Sequence, residues 1–187
     1  ADAKLSTHVY DNLLEQITKN QSQFIKTLSS GSIFPQIKDN MKFTAIVGNP
    51  PYQQMDGGGN ASAINIYNYF VDISRTITPK YISMIMPARW YAGGKGLDDF
   101  RASMLQDSHI EVMYDYPNPK DCFPNTNISG GICYFLWNDD YDGDCQYTNV
   151  VNGNKETAKR RLNENEIFVR YNRAVSVIRK ILSKNFE

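Results

Sequence analysis

The sequence predicts an α/β protein, a mixed sheet with flanking helices in one domain, and three observations carry that prediction. Short apolar runs at 43–47 and 81–86 each end at glycine or proline, as strands leaving a sheet do. Apolar side chains recur at helical spacing between and after them, at Ile66, Tyr67, Phe70, Ile73 and Ile77 and again at Leu97, Phe100, Met104 and Leu105. Residues 110–116 alternate Ile110, Val112, Tyr114 and Tyr116 against Glu111, Met113 and Asp115, the period of a strand. The 187 residues suffice to bury one core.

In chain order, Val9, Leu13, Ile17, Phe24, Ile25 and Leu28 keep one face of a helix apolar over 7–28, and Ser29-Ser30-Gly31 ends it. Phe43, Ala45, Ile46 and Val47 read as a strand buried on both faces. Pro50 and Pro51 have no N–H for the ladder and restrict the residues before them, so the chain leaves the sheet at Asn49. Gly57-Gly58-Gly59 lacks the spaced glycines and Lys-Ser/Thr pair of a phosphate loop and reads as a mobile loop, after which Ser62 is the expected N-cap of the next helix. Tyr81–Met86 is the next strand, ended by Pro87, and 87–96 is an irregular, glycine-rich stretch. Asp98 and Asp99 favour the positive end of the helix that follows. Residues 138–149 are turn-rich and read as a solvated hairpin; the calcium-loop pattern fails where its twelfth-position Glu should stand. From Lys155 onward basic residues dominate, and Ala174, Val175, Ile178, Ile181 and Leu182 mark a helix with one apolar face.

Composition narrows the function classes. Net charge is zero, which excludes a generic polyanion binder. Cys122, Cys133 and Cys145 lack metal-ligand spacing and read as reduced structural thiols, with no metal site expected. His8 and His109 have no nucleophile pattern beside them. No run reaches the roughly 18 apolar residues of a membrane span and the N-terminus carries no signal pattern, so the expectation is a cytoplasmic protein without a membrane partner.

The turn Asn49-Pro50-Pro51-Tyr52 carries the chemistry. It lies beyond the carboxyl end of a strand, where open α/β sheets bind ligands. The Asn49 side-chain carbonyl and the Pro50 main-chain carbonyl supply two stiff acceptors, a match for the two hydrogens of a planar NH2 group. Such acceptors draw the nitrogen toward pyramidal geometry, free its lone pair and stabilise the positive charge that grows there. Tyr52 adds a face on which a flat ring can stack, worth about 1–3 kcal/mol per base.

Asn49-Pro50-Pro51-Tyr52 after an apolar strand resembles the catalytic motif of S-adenosylmethionine-dependent amino methyltransferases, above all the N6-adenine-specific DNA methyltransferases of bacterial restriction-modification systems. A chance occurrence in a chain this long is on the order of one in a thousand. The segment Pro87–Gly96 resembles the loop after the next strand in that family, where Arg89, Trp90 and Lys95 suit contact with DNA backbone or a flipped nucleotide. An equal reading has Trp90 and Tyr91 capping the sheet edge. Asp121-Cys122-Phe123-Pro124, followed by the apolar run to Trp137, resembles the family's Phe-Pro loop and strand, which implies that Phe123 lies against the extruded adenine, opposite Tyr52.

The resemblance covers residues 30–150 and implies the distal half of a Rossmann-like methyltransferase domain. The glycine turn and acidic residue that hold S-adenosylmethionine precede the motif in the family and are missing from the residues ahead of it here. The expected division is 1–150, the distal catalytic half with a leading helix over 1–30, and 151–187, a basic helical linker toward a target-recognition domain. Double-stranded DNA and the absent segments are the implied partners, and the isolated chain is expected to bind cofactor weakly or not at all and to be inactive. Methylation of protein glutamine or of RNA, whose amines the same motif serves, and a non-catalytic DNA-binding or assembly role remain alternatives.

Overall fold

The computed structural model describes residues 43–55, 63–165 and 167–183. The expected helix over 7–28, His8, the three glycines at 57–59 and Ser62 lie outside them.

Among the described residues, six strands form one mixed sheet: β1 (Ala45–Gly48), β4 (Tyr81–Pro87), β6 (Ile132–Asn138), β5 (Ile110–Tyr116), β7 (Cys145–Val151) and β8 (Asn154–Arg160), in that spatial order. β1 runs parallel to β4 and β5 parallel to β7, while β6 lies antiparallel between β4 and β5. β1, β4, β5 and β7 therefore all end on one rim. A separate two-stranded ladder, β2 (Gln53–Met55) with β3 (Ala63–Asn65), follows the proline turn. Helices α1 (Tyr67–Thr76), α2 (Asp98–Gln106) and α3 (Asn172–Leu182) complete the fold.

One face of the sheet carries the core. Register aligns Met84, Phe135, Met113 and Tyr147 in a row across β4, β6, β5 and β7, and all four are buried. Tyr67 and Val71 from α1 and Phe100 and Met104 from α2 join the same cluster. Each large side chain so buried stabilises by about 1.5–3 kcal/mol. On the opposite face Tyr114 and Tyr134 stack at 4.8 Å and remain half-exposed.

Several expectations change. β1 is not buried on both faces: among the described residues it pairs only with β4, and Val47 is 78% exposed. α1 begins at Tyr67 with Ile66 at its N-cap, preceded by β3 over Ala63–Asn65. Residues 138–149 are not a hairpin: 145–149 belong to β7, and β5 lies between β6 and β7. The strand β8 lies in the stretch expected to be helical linker, joined to β7 by Asn152-Gly153, both at positive φ of 51° and 76°. Asn-Gly at such a turn matches the twist of the flanking strands. A shift of register between Ile110 and Val112 turns Met113 and Asp115 to the core and leaves Val112, Tyr114 and Tyr116 on the open face.

Candidate active site

The proline turn leaves β1 at Gly48, which pairs with Met84, whereas β4 continues to Pro87. Gly48 thus sits roughly 10 Å below the end of β4, and Asn49 about 7 Å below it. Asn49 and Pro51 are exposed and Pro50 is buried. The Tyr52 carbonyl accepts from the Ile66 N–H at 3.1 Å, and Gln53 pairs with Asn65, so the far side of the turn is tied to the chain entering α1. Tyr52 is half-buried; burial lifts its hydroxyl above the ordinary pKa, and the neighbouring thiols of Cys122 and Cys133 add to this. Cys122 directly precedes Phe123 in the loop after β5.

The segment after β4 is a 3-10 helix, Ala88–Ala92. Trp90, expected at a nucleic-acid surface, is fully buried: its ring packs edge-on against Tyr91 and Phe100, and its indole N–H donates to Cys133 Sγ at 3.4 Å. It belongs to the core together with Tyr91, so the two neither face a nucleic-acid surface nor cap a sheet edge. Arg89 is half-buried, with its Nε buried and without a hydrogen-bond partner. Lys95 is exposed between Gly94 and Gly96, with φ at 52°.

The loop after β5 contains the 3-10 turn Pro119–Asp121 and the half-buried Phe123, whose N–H donates to the Pro119 carbonyl at 2.8 Å. Its last residues touch the segment after β4: the Ala88 N–H donates to the Gly131 carbonyl at 2.9 Å, and a Cβ on Gly130 would lie 3.5 Å from Arg89 Cα. The Asn49 turn, the 88–96 segment and the Phe123 loop therefore share one rim, with about 14 Å between β1 and β5 at the usual strand spacing.

The basic residues beyond 155 are largely paired. Arg160 faces Glu164 at 3.2 Å, Arg161 faces Asp144 at 3.2 Å, Arg173 faces Glu156 at 2.7 Å, and Arg179 also reaches Glu164. Arg170 and Asp115, which sequence reasoning did not single out, form a bidentate pair with Asp115 fully buried. A lone Asp on an apolar strand was the available signal. Among the described residues no group of His, Cys, Asp or Glu is placed to hold a metal ion, and no helix is long and apolar enough to cross a membrane.

The Asn49–Tyr52 turn, the 88–96 segment and the Phe123 loop thus lie along one rim of a mixed α/β sheet. The chain belongs to the Eco57I restriction-modification methylase family, whose model matches residues 1–123. It is 39% identical over 106 residues to an uncharacterised adenine-specific methylase of Mycoplasma pneumoniae, a match covering 55% of this chain and 25% of that protein. The chain thus spans about a quarter of the length of this curated relative. Among solved structures, it resembles a type I restriction-modification methyltransferase subunit from Streptococcus thermophilus at 12% identity and a TM-score of 0.44, covering 81% of this chain and 33% of that one. The type IIG restriction endonuclease BpuSI gives 18% identity and a TM-score of 0.42, with 69% and 20% covered.

Proposed function

We propose that this chain is the catalytic and target-binding part of an N6-adenine DNA methyltransferase acting in a restriction-modification system. The observation that carries this reading is the Asn49–Tyr52 turn at the carboxyl end of a parallel strand, with Asn49 exposed and Pro50 buried behind it. An adenine extruded from duplex DNA enters beside β4, and its N6 amine donates to Asn49 Oδ1 and the Pro50 carbonyl. Tyr52 stacks on one side of the ring and Phe123 closes the other. The acceptors draw the amine hydrogens out of the ring plane, which takes the nitrogen lone pair out of conjugation and aims it for attack, so that alignment, with reacting atoms near 3–3.5 Å, supplies much of the acceleration. Arg89 and Lys95 hold the flanking phosphates.

S-adenosylmethionine is the methyl donor this reading requires, and it supplies an electrophilic methyl group. Among the described residues, the glycine turns at 93–96 and 130–131 lie in the segments that this reading gives to the substrate. No step is therefore derived through the cofactor, and the remaining donor-binding surface is assigned to other parts of the intact protein.

Tritiated methyl transfer by the intact protein to duplex DNA, RNA and a glutamine-containing peptide tests the reading. Label in the adenine of duplex DNA is the expected result; label in RNA or peptide alone, or in none of the three, overturns it.

A further inference from the structure

The loop at 117–131, which carries Phe123, has little to hold it by itself. Its own hydrogen bonds are short turns, such as Phe123 to Pro119, Thr126 to Phe123 and Gly131 to Ile128. Its position comes from outside. The Asn152 N–H at the β7–β8 turn donates to Asp121 Oδ2 at 2.8 Å, which ties the start of the loop. At the other end Arg170 Nη1 donates to the Gly130 carbonyl at 2.8 Å.

Arg170 has no slack with which to follow a moving loop. Its Nε donates to Asp115 Oδ2 at 2.8 Å and its Nη2 to Asp115 Oδ1 at 2.7 Å, while the guanidinium carbon sits 5.3 Å from the centre of the Tyr91 ring. Asp115 lies one residue from the end of β5 and is held from the other side by Asn149 Nδ2 at 3.1 Å. The same Asn149 amide donates to the Arg170 carbonyl at 3.1 Å. A planar fork spends three donors on two elements, so the place of a buried strand carboxylate dictates the place of the Gly130 carbonyl. Gly131 closes the arrangement: it has φ of 86°, and a Cβ there would come within 2.3 Å of the Tyr116 carbonyl and 2.6 Å of Arg170 Nη2. A buried ion pair is weak as a source of stability compared with apolar packing, but it imposes direction.

We infer that Arg170, braced on Asp115, is the positioning residue that sets the Phe123 loop against the Arg89 segment and so determines capture of the target base. The inference rests on the proposed function. Arg170 touches neither the base nor the cofactor; it acts through Gly130 on the loop. Lysine keeps the charge but cannot reproduce three planar donors.

The test uses the intact protein and a duplex carrying the site that the wild type methylates, located by sequencing N6-methyladenine in DNA from expressing cells. For the fluorescence measurement the target adenine is replaced by 2-aminopurine, whose emission rises when it leaves the stack; kcat is measured on the unsubstituted duplex, because 2-aminopurine has no N6 amine. R170K is expected to keep wild-type S-adenosylmethionine affinity by calorimetry, to show a reduced fluorescence rise, and to lose roughly tenfold to a hundredfold in kcat with little change in KM for DNA. Because a lone buried Asp115 could unfold the protein, D115N/R170M is measured beside it; this pair leaves no unpaired charge and is expected to melt near the wild type yet capture the base as poorly as R170K. Wild-type kcat and fluorescence in either variant overturn the inference, as does a loss of kcat that only follows a loss of folded protein. A wild type that neither methylates duplex DNA nor extrudes the base overturns the proposed function and this inference together, whereas an active wild type with an active R170K overturns this inference alone.

Discussion

Trp90 donates its indole N–H to the thiol sulfur of Cys133 across 3.4 Å, on the buried face of the sheet. This contact joins the 3-10 helix after β4 to β6 and places the tryptophan ring under the site rather than on it. Trp90→Ala should therefore destabilise the fold by about 3–5 kcal/mol, the range for emptying a large aromatic site. At temperatures where the variant stays folded, its DNA affinity should equal the wild type's. Urea titration and fluorescence anisotropy measure the two quantities, and weak DNA binding by folded variant would return Trp90 to the interface.

Asn49 is exposed at the end of β1 and lies outside the core. Asn49→Ala in the intact protein should reduce methyl transfer by at least about a hundredfold, as losing one fixed transition-state acceptor does. DNA affinity and thermal stability should stay close to wild type. Near-normal turnover in the tritiated-methyl assay would remove Asn49 from the chemistry.

Lys95 is exposed between two glycines. If it contacts a phosphate, Lys95→Gln weakens DNA binding alike for all sequences and lowers the slope of log affinity against log salt by about 0.9. Anisotropy titrations at several salt concentrations read that slope. An unchanged slope excludes the contact.

The thiols give a pH prediction. Burial pushes Cys133 and Cys145 up to about 12, against an ordinary value of 9.0, while Cys122 is only half-buried and rises less far. Between pH 9 and 12 the unfolded chain has lost these two protons and the folded chain keeps them. The unfolded state then binds fewer protons, so stability falls as pH rises, by roughly 1.4 kcal/mol per pH unit for each thiol. Urea midpoints between pH 8.5 and 10, below the range in which tyrosines dominate, should show the decline, and Cys133→Ala/Cys145→Ala should flatten it. Alkylation at pH 8 should modify Cys122 alone until the protein is unfolded.

Where the sequence was legible, the reason was local. β4, β6, α1 and α2 announce themselves by apolar spacing bounded by proline and glycine, and the amphipathic face of α3 is read from Ala174, Val175 and Ile178. β7 and β8 were missed because neither is apolar enough to stand out: Cys145–Val151 mixes polar and apolar residues, and Asn154–Arg160 is a charged edge strand. The Asn152-Gly153 turn between them was the one strong signal. Resemblance to the family's loops placed Trp90 and Phe123 together in the site, and the structure separates them, with Trp90 in the core and Phe123 half-buried.

The sequence by itself determined the Asn49-Pro50-Pro51-Tyr52 turn, since two consecutive prolines end a strand whatever surrounds them, and with it the two acceptors on which the proposed chemistry depends. Only the tertiary structure decided which face of β5 is buried, that Asp115 meets Arg170 from far along the chain, and that three loops share one rim. Strand period tells which residues lie together on a face; which face becomes interior depends on partners distant in sequence, here α2, β7 and Arg170.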